Sequence, residues 1–160
     1  MLALSSTRPG ALDTRDITPS RDRAPTSANG SGPTVLLVDD DAAVRKSIGR
    51  ALTTEGLRVV QARGVKDALD YLSLIRPDLV ITDLCMALLS GWDLIAYLRD
   101  HFPALPIVVI TALPAESAGG ANEAAAAFFQ KPLDLDTLLA AIQRELNWSR
   151  PSQRAALAPG

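Results

Sequence analysis

Leu79-Val80-Ile81-Thr82-Asp83 is the stretch that decides the fold. Three aliphatic residues and a β-branched threonine make an apolar run that ends in a carboxylate. Pro77-Asp78 precedes it and Leu84-Cys85-Met86 follows. A short run without polar alternation is the pattern of a strand buried on both faces, as in a parallel sheet. An acid at its C-terminal end lies where open α/β sheets place their binding crevice. Three further runs also end in chemistry. The run at 35–38 leads into Asp39-Asp40-Asp41, that at 107–110 into Thr111-Ala112, and Phe128-Phe129-Gln130 into Lys131-Pro132. Carboxylates, a hydroxyl and an ammonium would then share one sheet edge around Asp83.

Outward from this stretch the chain alternates regularly. A strand at 34–38 precedes a helix at 42–55, with Val44, Ile48, Ala51 and Leu52 on one face and Gly56 as its stop. A second strand is expected at 57–60, then a helix at 65–73 with Val65, Ala68, Leu69 and Leu72 inward. After the strand at 79–82 and a loop through Ser90-Gly91, a helix is expected at 92–99. Pro103 and Pro106 bracket the turn into a fourth strand at 107–110. A weak helix is expected somewhere in 116–126, because Gly119-Gly120 costs a helix about 1 kcal/mol per glycine. A short strand at 128–130 and a helix at 135–148, capped by Asp134, complete the pattern. Five strands alternating with five helices predict an α/β fold, a parallel sheet covered on both faces.

Residues 1–33 lack this order. Pro9, Pro19, Pro25 and Pro33 interrupt them, and their isolated apolar residues show no period, so they read as a disordered leader. Residues 34–148 read as one domain, and 149–160 as a flexible tail too short for an output domain. The chain is 48% hydrophobic but only 4% aromatic, so its core is aliphatic. A net charge of −2 gives no general attraction to nucleic acid or to an anionic membrane. The single cysteine, Cys85, excludes an internal disulfide and a Cys-rich zinc site. It suits a reducing compartment. No apolar run reaches membrane-spanning length, and the short patch at the start is no signal-peptide core. A cytoplasmic location is expected.

Each strand end has an ordinary explanation by itself. Asp39-Asp40-Asp41 could cap the following helix, Thr111 could cap the next one, Asp83 could be a turn residue and Lys131 a surface lysine. But a cap needs one carboxylate, and three adjacent ones repel. A cation would relieve that repulsion, and hard oxygen donors suit Mg²⁺. A carboxylate beside the cation can attack phosphorus and form an acyl phosphate. A lysine and a threonine hydroxyl can then meet the phosphoryl oxygens. The set therefore suits phosphoryl transfer onto an aspartate. No Gly-rich nucleotide loop is present, and the only histidine, His101, falls at a helix end away from the acids. That excludes a Ser-His-Asp or His-metal site.

With these residues in place the sequence resembles the response-regulator receiver domains of two-component signalling, over about residues 34–148. The matching motifs are VLLVDDDAAVR at 35–45, DLVITDLCMALLSGWDL at 78–94, VVITA at 108–112 and FFQKP at 128–132. The resemblance implies a flavodoxin-like sheet with strand order 2-1-3-4-5. It implies that Asp83 is the phosphoacceptor, that Thr111 and Lys131 bind the phosphoryl group, and that Asp39, Asp40, Asp83 and the backbone carbonyl of Cys85 hold Mg²⁺. Asp41 would cap the helix, and Phe128 occupies the aromatic switch position. The implied partner is a histidine kinase or a histidine phosphotransfer protein, with signalling by protein contact and no direct nucleic-acid or membrane partner. Two features depart from the family. Ala87 stands where a proline usually follows the methionine, and the stretch from Thr111 to Phe128 is a residue or two short.

Two other functions compete. Asp39 and Asp41 have the D-x-D spacing of an aspartate-based phosphatase of the haloacid-dehalogenase type. Against it, Ala43 replaces the usual hydroxyl residue, no acidic pair follows Lys131, and Asp83 is left unexplained. A degenerate receiver acting without phosphorylation is the third, and the intact acids, Thr111 and Lys131 argue against it.

Overall fold

The computed structural model describes residues 32–149. The expected leader, up to residue 31, and the tail from residue 150 lie outside the described residues. The elements are β1 (Thr34–Val38), α1 (Ala42–Thr54), β2 (Arg58–Ala62), α2 (Val65–Leu74), β3 (Leu79–Thr82), α3 (Gly91–His101), β4 (Ile107–Thr111), α4 (Gly120–Ala124), β5 (Ala127–Gln130) and α5 (Leu135–Glu145). The five strands form one parallel sheet in the order β2-β1-β3-β4-β5. The fold class and strand order are those expected.

The central strands have no polar alternation because both of their faces are covered. Successive side chains point to opposite sides. Leu36, Val38, Val80, Ile107 and Val109 pack with Ala68 and Leu72 of α2, Leu94 and Leu98 of α3 and Ala121 of α4. Val35, Leu37, Leu79, Ile81, Val108 and Ile110 pack with Ile48 and Leu52 of α1 and Leu138 and Ile142 of α5. Each fully buried aliphatic side chain contributes about 1.5–3 kcal/mol, which holds the register against the repulsion at the strand ends.

Several boundaries differ from expectation, each for a local reason. β2 begins at Arg58 because the Leu57 N–H turns back to the Leu52 carbonyl at 3.2 Å, across Gly56 at φ 86°. It extends to Ala62, which pairs with Val38. α3 is longer than expected, 91–101, because the Ser90 hydroxyl and N–H both bond the Asp93 carboxylate, at 2.9 and 3.1 Å. α5 stops at Glu145, as Asn147 takes a positive φ of 47° and Trp148 N–H folds back to the Gln143 carbonyl. The weak helix divides into a 3-10 turn at Ala115–Ser117 and the five-residue α4, separated at Gly119 with φ 49°. Among the described residues no helix is long and apolar enough to cross a membrane.

Candidate functional site

β1 and β3 are neighbours in register, Val38 opposite Thr82, so the residues that follow them, Asp39 and Asp83, come side by side. Asp39 is fully buried and Asp83 nearly so. Buried carboxylates need donors, and these have them. Asp83 Oδ1 accepts the Cys85 N–H at 2.9 Å, and Asp39 Oδ1 accepts the Asp41 N–H at 2.8 Å. Lys131, which follows β5, reaches across to place Nζ 2.9 Å from Asp39 Oδ2 and 2.7 Å from Asp83 Oδ2. Its backbone is tied to the site as well, since the Lys131 N–H donates to the Thr111 carbonyl at 2.7 Å.

Asp40 is exposed and accepts the Ala87 N–H at 3.2 Å. One oxygen from each of Asp39, Asp40 and Asp83 lies within 4.8 Å of the others, so the three acids could hold a metal ion together. Charge works in both directions here. Burial pushes the Asp39 carboxyl above its usual range, while the bond to Lys131 and the Asp41 N–H pull it back. Burial also works against the Lys131 ammonium, but its bonds to Asp83 and Asp39 outweigh that and raise its pKa.

Thr111 is buried at the end of β4. Its hydroxyl lies 3.9 Å from Cys85 Sγ and accepts the Leu113 N–H at 3.3 Å, so it meets the cluster through the loop after Asp83. Cys85 is exposed, at the rim. Phe128 lies in β5 opposite Val109, half-buried against the cluster that also holds α3 and α4. Asp41 is elsewhere: its Oδ1 takes the Ala43 and Val44 N–H groups and caps α1. Asp39 and Asp41 thus do not act as the D-x-D pair of the phosphatase reading. His101 ends α3, with Nδ1 2.9 Å from the Tyr97 carbonyl, away from the acids.

Three contributors escaped sequence reasoning. A Cβ on Gly91 would lie 2.0 Å from the Asp83 carbonyl oxygen, so only glycine lets α3 start this close to the end of β3. Arg45 donates to the Asp39 carbonyl at 2.6 Å and pins the turn after β1. The Ala87 N–H could not have been found, because a backbone donor leaves no side-chain signal. Gly91 carried a signal, since glycine stood at a helix start beside Ser90.

Comparison with known proteins gives the family and the fold. The family model described as the response regulator receiver domain matches residues 35–143. Response regulator MprA of Mycolicibacterium vanbaalenii is 37% identical over 123 residues, covering 76% of this chain and 53% of that protein. Transcriptional regulatory protein GlrR of Escherichia coli is 36% identical over 121 residues, covering 74% of this chain and 27% of that protein. The chain therefore spans about half or less of the length of these curated relatives. Among solved structures, the chemotaxis response regulator CheY4 of Vibrio cholerae is 26% identical with a TM-score of 0.66, covering 71% of this chain and 98% of that one. Response regulator TrrA of Thermotoga maritima, in complex with Mg²⁺-BeF, is 25% identical with a TM-score of 0.66, covering 71% of this chain and 98% of that one. With the sheet order, the acid cluster and these matches in agreement, the chain belongs to the response regulator receiver family of two-component signalling.

Proposed function

We propose that this receiver domain accepts a phosphoryl group on Asp83 from a phosphohistidine of a kinase or a phosphotransfer protein. The observation that carries the reading is the Asp83 carboxylate at the end of β3, bonded to Lys131 at 2.7 Å and gathered with Asp39 and Asp40 within 4.8 Å. In the step, an Asp83 oxygen forms the new O–P bond while the N–P bond to the donor imidazole breaks, and the imidazole nitrogen leaves with the electron pair. The Cys85 N–H keeps the Asp83 carboxylate aimed during attack. Lys131 then exchanges its bond to Asp83 Oδ2 for one to a phosphoryl oxygen, and the Thr111 hydroxyl exchanges its contact with Cys85 for another.

The donor set is hard, anionic and open on the Asp40 side, which fits Mg²⁺, a cation that keeps part of its water. Asp39, Asp40, Asp83 and the Cys85 carbonyl would hold it, and when bound it neutralises charge on the phosphoryl oxygens. A groove lined by Val44, Ser47, Ile48, Pro132, Leu133 and Leu135 also includes Lys131 and offers a donor protein a mostly apolar approach to the site. Output through protein contact on the side of α4, β5 and α5 completes the reading. A degenerate, phosphorylation-independent receiver has no need of an open Asp40 beside Asp39 and Asp83, whereas a metal-assisted acceptor does. The test is intact-mass measurement after incubation with a small phosphodonor and Mg²⁺. A gain of one phosphoryl group that chelation of Mg²⁺ prevents is expected. An unchanged mass with Mg²⁺ present rejects the reading.

A further inference from the structure

Two of the three acids of the cluster share a donor that the third lacks. Asp39 and Asp83 share the Lys131 ammonium, and each also takes a backbone N–H. Asp40 takes the Ala87 N–H, a bond that spans 47 residues and ties the loop after β3 to the loop after β1. Two carboxylates beside it repel Asp40, and it is exposed among the described residues, so repulsion favours a swing toward solvent. The Ala87 bond opposes that swing. With it in place, one oxygen of Asp40 already lies within 4.8 Å of oxygens on Asp39 and Asp83.

We propose that the backbone N–H of Ala87 is a positioning group for the divalent cation, holding the Asp40 carboxylate at the cluster before the cation arrives. The inference rests on the reading of the cluster as a Mg²⁺ site. An ionised carboxylate has about four acceptor positions, so a bond to Ala87 leaves Asp40 able to ligate a metal at the same time. The two interactions then reinforce each other. Any residue except proline supplies this donor. Alanine here gives the loop a tether that proline would lack.

The test is calorimetric titration of the whole chain with MgCl₂, for the natural sequence, Ala87→Pro and Ala87→Ser. Ala87→Pro should weaken binding about five-fold, the loss of one ordinary hydrogen bond. Ala87→Ser keeps the N–H and should stay within about two-fold on the same scale. Amide exchange at Ala87 in the natural chain supplies a readout that needs no variant. That amide should be protected without Mg²⁺ and more protected with it. Ala87→Pro binding Mg²⁺ as tightly as the natural chain, or an Ala87 amide that exchanges freely, overturns the proposal and leaves the metal site standing. A natural chain that gives no Mg²⁺ binding overturns the metal site and this inference with it.

Discussion

The loop from Asp83 to Gly91 and the segment from Ala112 to Ala126 leave neighbouring strands at the same edge of the sheet, yet they are built in opposite ways. In the first, backbone donors are spent on carboxylates: Cys85 N–H on Asp83 and Ala87 N–H on Asp40. It then closes against the end of β3, with the Gly91 N–H on the Leu84 carbonyl at 3.1 Å and no room for a Cβ at Gly91. The second contains a three-residue 3-10 turn, a glycine at positive φ and a helix of five residues, anchored by the buried Ala118 and Ala121. Its far end is secured by Arg99 of α3, whose guanidinium donates to the Ala124 and Leu105 carbonyls. Like charges must be gathered in the first loop before any ligand arrives, which requires stiffness. The second carries no charge cluster and its helix is only five residues long, so its conformation is cheaper to change.

The largest effect should come from breaking the stiff side. Gly91→Ala drives a Cβ into the Asp83 carbonyl and should destabilise the fold by about 3 kcal/mol. The contrasting change on the loose side is Gly120→Ala. A Cβ there meets nothing within 4 Å, so it should add about 0.5–1 kcal/mol. Thermal or denaturant unfolding of both variants checks the pair, and equal effects would erase the contrast.

Lys131→Met comes next in size. It leaves the buried Asp39 without its ammonium and should cost about 2 kcal/mol near neutral pH, below the usual cost for a buried pair because Lys131 is partly exposed. The sign with pH follows from Asp39. Its folded pKa is raised above 3.8, so the folded state holds that proton more tightly than the unfolded chain. Its contribution favours folding at and below pH 3.8 and is lost as pH rises through the raised value. Without Lys131 the pKa rises further, so the deficit of Lys131→Met should shrink as the medium is acidified. Unfolding curves over that pH range, without divalent cations, test it; a deficit independent of pH would contradict the assigned cause.

The smallest effect concerns the soft segment. Phosphorylation should slow amide exchange mainly in residues 111–131 and leave residues 57–73 nearly unchanged. Phe128→Ala should keep the phosphoryl group and lose that slowing. Exchange in 111–131 that is the same with and without phosphorylation would remove the switch.

How much of this was legible in the sequence follows the same division. Asp39, Asp83, Thr111 and Lys131 could be read because apolar runs end at them, and a run that ends in a polar residue marks a strand edge. Asp41 could be read as a cap from its place before Ala42. The shared ammonium between Asp39 and Asp83 could not, since Lys131 is 92 and 48 residues away from them along the chain. Nor could the bond from the Ala87 N–H to Asp40, because a backbone donor leaves no side-chain signal. The division of the weak helix into a turn and α4 depended on the φ of Gly119, which glycine permits and no pattern of side chains reveals.

The central claim is that the gathered carboxylates exist to put a phosphoryl group on Asp83. Phosphorylation with a small phosphodonor and Mg²⁺, followed by peptide mapping, tests it in the natural chain, Asp83→Asn and Asp39→Asn. A single acid-stable, base-labile phosphoryl group is predicted on the peptide containing Asp83. It should be absent from Asp83→Asn and, where Asp39→Asn is labelled at all, should stay on Asp83. Label that persists in Asp83→Asn, or that maps to Asp39, would contradict the account.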